Sequence, residues 1–373
     1  MNTFYPEIKK NFGFGMMRLP MNGDAVDIPQ TCDMVDAFIN AGFNYFDTAH
    51  GYISGKSETA IRDCLAARYP RESYILTNKL TMDYFETEAD IRPFFESQLQ
   101  LCGVEYFDFY LMHALNATRY QHYERCNAFR IAQELKAEGK IRHIGFSFHD
   151  KSKVLDQILT EHPEVEVVQL QFNYADYDDP AVESRKCYEV CRKHGKPVIV
   201  MEPVKGGKLA QMSEDALGVF RALGDKSAAS YAIRFAAGHE GIMMVLSGMG
   251  NMDMMNDNLS YMRDFQPLNQ QELEAVNQVR EILVKQNQVA CTGCRYCVDG
   301  CPAGIKIPDL FSCLNGKKVF QDPNADYYYH EVYTVNAGKA SDCLKCGKCE
   351  EVCPQNLKIR QLLEHTVRVF EWE

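Results

Sequence analysis

A chain of 373 residues, 46% of them apolar and 24% charged, can bury a sizeable core and has room for an appended unit. That balance excludes a wholly disordered chain, and a formal net charge of −11 argues against a general nucleic-acid surface, which needs clustered Lys and Arg. No apolar run approaches the roughly 20 residues of a membrane span and the N-terminal stretch has no signal-like apolar segment, so a cytoplasmic location without nucleic-acid or membrane partners is expected.

Taken in order, the chain alternates. A short apolar run at 12–20 ends at Pro20. A helix is expected at 29–41, where Pro29 suits a helix start and Gly42 a helix end. Strands follow at 43–47, 74–79, 107–112, 141–146, 165–170, 198–201 and 242–246. Helices separate them near 57–68, 88–101, 123–138, 153–160, 182–194 and 228–237, with a last one near 252–261. That makes about eight strand–helix units, the rhythm of a (β/α)8 TIM barrel in the α/β class. A doubly wound sheet is the rival, but no G-x-G-x-x-G opens a helix after the first strand.

Barrel enzymes carry their chemistry at the C-terminal ends of strands. Asp47, Tyr52, Lys79 and His113 fall at or just beyond such ends. Alone, each reads as a cap, a solvated lysine or a structural histidine. Together they suit carbonyl reduction. A phenol has an ordinary pKa near 10, a poor acid at neutral pH. A lysine ammonium beside Tyr52 would lower it, Asp47 would hold that lysine charged, and His113 would position the carbonyl oxygen.

Phe46, Asp47, Thr48 and Ala49 before Gly51 and Tyr52, then Thr77, Asn78 and Lys79, then Leu111, Met112 and His113, resemble the aldo/keto reductase superfamily over about residues 10–265. The four ionisable residues match that family's tetrad. The resemblance implies a nicotinamide cofactor, NADH or NADPH, lying across the barrel mouth without a Rossmann fold. It implies Asp47, Ser147 and Gln171 near the nicotinamide and Tyr174 stacked on its ring. It also implies Glu202, Pro203, Lys205, Gly206 and Gly207 along the pyrophosphate. Ser247, Gly248, Met249 and Asn258 would hold the adenosine end. The substrate would be a small carbonyl compound or alcohol. One departure concerns the 2′-phosphate. Family members that grip it carry cations around the eighth strand, where this chain has Gly248, Met249 and Met254, so NADH or dual use is at least as well supported. Phe14, Tyr120, Phe146 and Phe148 read as core aromatics or pocket walls, and His149 as a mouth or surface residue.

Fifteen cysteines divide unevenly, nine of them from Cys291 onward. Cys291, Cys294, Cys297 and Cys301-Pro302 follow C-x2-C-x2-C-x3-C-P, and Cys343, Cys346, Cys349 and Cys353-Pro354 repeat it. This is the bacterial ferredoxin run for [4Fe–4S] clusters, in which the fourth cysteine serves the other cluster. Cys291, Cys294, Cys297 and Cys353 are therefore expected on one cluster, and Cys301, Cys343, Cys346 and Cys349 on the other. A zinc ribbon is the alternative. Cys313 is left over. The expected organisation is a barrel at 1–268, a connecting helix at 269–290 and a small, mainly helical ferredoxin-like domain at 291–373, packed near the barrel mouth.

A nicotinamide delivers two electrons as hydride and a [4Fe–4S] cluster takes one, so enzymes usually place a flavin between them. No flavin fingerprint is present, although barrel mouths bind flavins without one. The chain reads as a carbonyl reductase with structural or regulatory clusters, or as a redox enzyme coupling clusters to the barrel site. An external ferredoxin or other electron-transfer protein would be its partner. A redox-sensing module on an idle barrel is the third reading.

Overall fold

The computed structural model describes residues 4–179, 182–286, 289–291 and 293–372. Eight parallel strands close a barrel: β1 Phe12–Gly15, β2 Tyr45–Asp47, β3 Ile75–Leu80, β4 Phe107–Leu115, β5 Ile141–Phe148, β6 Val167–Gln171, β7 Val198–Met201 and β8 Ile242–Ser247. Each pairs with the next, and β8 closes on β1 through Phe14 opposite Ser247. Parallel neighbours require a crossover each time, which is why the strands read as apolar runs covered by helices. Tyr45, Ile75, Phe109, Leu111, Val167, Ile199, Met244 and Leu246 form one cluster with Ile8 from the N-terminal segment. A larger cluster joins the strands to the helix layer.

That layer contains α1 Ile28–Asn40, α2 Lys56–Ile61, α3 Glu88–Cys102, α4 Ala117–Arg125, α5 Ala128–Ala137, α6 Ser152–Glu161, α7 Ser184–Lys193, α8 Glu214–Arg221, α9 Ala228–Ala237, α10 Met252–Met262 and α11 Gln270–Lys285. The stretch expected as one helix at 123–138 is divided between α4 and α5. Asn127 separates them in the left-handed region, which asparagine tolerates better than most residues. A short hairpin, Met21–Asn22 with Ala25–Val26, and α8 carry no clear sequence signal. Strand β4 runs beyond its expected end. Its register with β5 shifts between Met112 and Leu115, and Ala114 has φ 57°. This bulge re-aims the chain at His113, as bulges beside functional sites commonly do.

Helix α11, expected within the connection at 269–290, belongs to the barrel layer. A capping box between Asn269 and Glu272 starts it, and Ala275, Val276, Val279 and Leu283 join the barrel core. Residues 287 and 288 of that connection lie outside the described residues. A separate core then forms around Leu310, Phe311, Leu314, Tyr329, Tyr333, Ile359 and Leu363. Its elements are α12 Tyr296–Asp299, α13 Ile307–Phe320, α14 Asn324–Tyr327, a π-helical turn Tyr328–Tyr333, α15 Lys348–Glu351 and α16 Ile359–Phe370. Among the described residues no helix is long and apolar enough to cross a membrane.

The second unit sits on the barrel mouth. Tyr327 contacts Asn116 after β4, Asp309 pairs with Lys151 after β5, Ser312 donates to Asp179 after β6, and Asp322 pairs with Lys205 after β7. Each barrel residue follows the C-terminal end of a strand, so the second unit covers the face where barrels do chemistry.

Candidate active site

The tetrad residues converge. Lys79 Nζ donates to Asp47 Oδ1 at 2.6 Å and to the Thr48 carbonyl at 2.7 Å, and it lies 4.8 Å from the Tyr52 ring centroid. Gln169 Nε2 donates to the other Asp47 oxygen at 3.3 Å. Asp47 and Lys79 are sealed, whereas Tyr52 and His113 keep part of their surface open. The Tyr52 and His113 rings stand 6.0 Å apart, edge to face. Burial works against the Lys79 ammonium, but Asp47 and Tyr52 outweigh it and hold its pKa above the ordinary lysine value. Burial also raises the Tyr52 phenol, with Lys79 pulling it back. His113 is pushed well below the usual histidine value by burial, then by Lys79, His149 and Arg119, so its imidazole is neutral. Thr81 Oγ1 lies 2.7 Å from His113 Nδ1. If that hydroxyl donates, Nε2–H remains free to donate toward the mouth.

Ser147 is buried and its hydroxyl oxygen accepts from the Ala114 amide at 2.7 Å. Gln171 Nε2 donates to Asp176 at 2.8 Å while its Oε1 receives the Tyr328 hydroxyl at 3.4 Å. Beside the tetrad a cleft of about 460 Å³ is lined by Glu202, Pro203, Gly206, Gly207, Ser247, Gly248, Met249 and Asn258. Gly206 and Gly207 have φ of 63° and 94°, a left-handed turn that exposes backbone to the cleft. Asn258 Nδ2 donates to Ser247 Oγ at 2.8 Å, bracing the far wall.

Two residues expected on the nucleotide, Tyr174 and Lys205, have other partners in this structure. Tyr174 is fully buried between Phe220 and Phe235 of the helix layer, its hydroxyl toward Met212, so its ring is not offered to a ligand in the mouth. Lys205 is buried and committed to Asp176 at 2.7 Å and Asp322 at 2.9 Å; it holds the two units together instead of meeting a pyrophosphate. Phe14, Tyr120, Phe146 and Phe148 are core residues. His149 faces the second unit, 5.4 Å from the Tyr327 ring.

Sequence reasoning missed Arg18, which lines the cleft, lies over Gly248 and approaches Glu202 at 3.7 Å. Its position directly after β1 was the available signal. Asp253 and Asp257, which line the same cleft, were also passed over.

The eight motif cysteines gather in two hollows. Cys291, Cys294, Cys297 and Cys353 line one, with Ile307, Pro308 and Phe311. Cys301, Cys343, Cys346 and Cys349 line the other, with Ile305, Ile307 and Leu363. Among the described residues no three His, Cys, Asp or Glu side chains crowd closely enough to hold a single metal ion. Two open, apolar-walled cages of four thiols suit a cluster better than one zinc ion. Cys313 is buried away from both.

The Aldo/keto reductase family model matches residues 11–281, and a 4Fe-4S dicluster domain matches 290–358. An NADH-specific methylglyoxal reductase of Escherichia coli is 27% identical over 205 residues, half of this chain and 60% of that protein. A 9,11-endoperoxide prostaglandin H2 reductase of Trypanosoma cruzi is 25% identical over 71% of this chain and 89% of its own length. In fold, the chain resembles a holo aldo-keto reductase from Bacillus halodurans, with TM-score 0.60, 22% identity, and 73% and 92% of the two chains covered. It also resembles an aldo-keto reductase from Klebsiella pneumoniae in complex with NADPH, with TM-score 0.58, 21% identity, and 72% and 90% covered. With its closed eight-stranded barrel and the family match over most of its length, this chain belongs to the aldo/keto reductase family and carries a C-terminal 4Fe-4S dicluster domain.

Proposed function

We propose that the protein is a nicotinamide-dependent carbonyl reductase in which Tyr52 is the general acid and two [4Fe–4S] clusters occupy the cysteine cages. The observation that carries this reading is the buried Lys79–Asp47 pair set 4.8 Å from the Tyr52 ring. When bound, the nicotinamide supplies hydride and the clusters exchange single electrons. Tyr52 stays protonated because burial outweighs Lys79, and it donates that proton to the carbonyl oxygen as negative charge develops there. Neutral His113 donates a second hydrogen bond to the same oxygen. Asp47 keeps Lys79 charged and prevents it from swinging away from Tyr52.

The cleft between Glu202 and Asn258 fits the pyrophosphate and adenosine. Arg18 supplies its positive charge and the Gly206–Gly207 turn its backbone donors. Asp253 and Asp257 line the adenosine end and would repel a 2′-phosphate, which favours NADH over NADPH. Cys291, Cys294, Cys297 and Cys353 would ligate one cluster, and Cys301, Cys343, Cys346 and Cys349 the other. The domains are proposed at 1–268 and 291–373, with 269–290 joining them and its helix α11 packed on the barrel core.

The test is Tyr52→Phe. Carbonyl reduction should fall by about 10²–10⁴-fold, while nucleotide binding and iron content stay as in the wild type. Turnover that survives removes the role of Tyr52.

A second reading, electron exchange between barrel and clusters with an external ferredoxin as partner, is favoured by the Tyr328–Gln171 contact across the two units. Anaerobic addition of NADH without substrate, followed by cluster absorbance and EPR, separates the readings. Reduced clusters support exchange; clusters that stay oxidised with nucleotide bound leave the carbonyl reductase alone.

A further inference from the structure

Four buried polar side-chain atoms among the described residues have no hydrogen-bond partner: Thr31 Oγ1, Arg71 Nε, Arg119 Nε and His149 Nδ1. Two of the four meet at the mouth. The Arg119 guanidinium carbon lies 5.5 Å from the centroid of the Tyr327 ring, and the His149 ring lies 5.4 Å from the same centroid. Buried polar groups are normally satisfied, and an unpaired one costs about 1–3 kcal/mol. Two such groups flanking one ring beside the tetrad mark a place where a ligand completes the bonding.

Hydrogen bonds hold the supporting frame. Arg119 stands in the first turn of α4, and its amide donates to Asn116 Oδ1 at 2.8 Å. Asn116 Nδ2 in turn donates to the Tyr327 hydroxyl and to the Glu331 carbonyl, each at 3.2 Å. The guanidinium is only loosely engaged, since Glu331 Oε2 lies 3.8 Å from Nη2 and is half exposed. His149 follows β5, and its amide donates to the Leu115 carbonyl at 2.8 Å, just past the bulge that carries His113. The two groups interact electrostatically with each other and with His113: Arg119 depresses both imidazoles, and His149 lies near enough to His113 to depress it further.

Resting on the carbonyl-reductase reading and deepening it, we propose that Arg119 and His149 form an anion subsite. It takes the carboxylate of a small carbonyl acid whose carbonyl reaches Tyr52 and His113. The donor set favours a carboxylate. A guanidinium fork matches its two coplanar oxygens, and with the half-exposed Glu331 already 3.8 Å from Nη2 a single further negative charge is the most this site takes. A phosphate dianion would leave one charge uncompensated. Tyr327 and Tyr328 of the second unit reach this region, accepting from Asn116 and donating to Gln171 respectively.

The test uses the full cluster-loaded chain and two readouts. The first is calorimetric titration with succinate and with uncharged succinamide, neither of which turns over. Succinate should bind, succinamide should not, and Arg119→Met should weaken succinate at least tenfold, with Arg119→Lys recovering part of the loss. The second is the ratio of kcat/KM for succinic semialdehyde over butanal, which should fall by at least tenfold in Arg119→Met and be partly restored in Arg119→Lys. Wild-type protein that binds succinate no better than succinamide, or an Arg119→Met variant that leaves both readouts unchanged, overturns the subsite. Glyceraldehyde 3-phosphate preferred over succinic semialdehyde also overturns it, in favour of a phosphate site. Selective succinate binding without reduction of either aldehyde upholds the subsite and removes the reductase reading.

Discussion

Tyr328, carried by the cluster domain, directs its hydroxyl to Oε1 of Gln171 at the end of β6, 3.4 Å away. The far side of Gln171 donates to Asp176, which shares Lys205 with Asp322 of the cluster domain. A buried polar chain therefore links the barrel mouth to the second domain at both ends.

Lys205→Met breaks that chain. It leaves Asp176 and Asp322 buried without their cation, which costs about 3–5 kcal/mol when one partner of a buried pair is removed. The pH dependence has a definite sign. Burial lowers the Lys205 pKa, but Asp176 and Asp322 outweigh it and raise it above its ordinary value. Its contribution is therefore complete below the unfolded value of about 10.5 and is lost only as pH rises through the folded one. The urea midpoint of the variant should lie below that of the wild type by a constant amount from pH 7 to 9. A gap that closes within that window contradicts the assignment.

The pH profile of reduction follows from the two mouth groups. His113 is neutral well below its ordinary value, and Tyr52 stays protonated above its own. The kcat/KM for carbonyl reduction should be flat between pH 6 and 9. A limb with an apparent pKa near 6.5 would mean that His113 titrates as an ordinary imidazole.

Much of this was legible because it rests on local rules. Apolar runs at even spacing gave the barrel, and C-x2-C spacing gave the cages. Asp47, Tyr52, Lys79 and His113 each sit near a strand end that periodicity locates. What was not legible depends on long-range contact. Lys205 resembles a phosphate ligand until Asp322, more than a hundred residues later, folds against it. Tyr174 follows a strand end as a site residue would, yet the helix layer takes its ring. Arg119 and His149 gain their meaning only from Tyr327, which arrives from the other domain.

The cages predict an exchange of ligands between the two cysteine runs. Cys353 stands with Cys291, Cys294 and Cys297, not with its own run. Cys353→Ser should therefore disturb the same cluster as Cys294→Ser, giving matching EPR spectra. Cys301→Ser should match Cys346→Ser. Cys313→Ser should leave the iron content per folded chain unchanged, because Cys313 is buried away from both cages. Spectra that pair Cys353 with Cys346 would reverse the ligand assignment.

The cleft predicts the nucleotide. Arg18 is the cation among its lining residues, whereas Glu202, Asp253 and Asp257 are acids. Glu202 lies beside Arg18, so a pyrophosphate bound as proposed would meet a partly neutralised wall, and the loss of Arg18 would expose it to Glu202 alone. Arg18→Ala should weaken NADH and NADPH alike, by about tenfold for a charge-assisted hydrogen bond of roughly 1.5 kcal/mol. The proposed adenosine end would discriminate between them. Asp257 is fixed by Ser227 Oγ at 2.7 Å, and Met254 is exposed on the same turn of α10. A 2′-phosphate there meets carboxylates and no cation, so NADH should bind more tightly than NADPH in fluorescence titrations at low salt. Met254→Arg should narrow that gap by improving NADPH binding while leaving NADH nearly unchanged. If Met254→Arg strengthens both equally, the new cation is reaching the pyrophosphate, and the adenosine ribose lies elsewhere in the cleft.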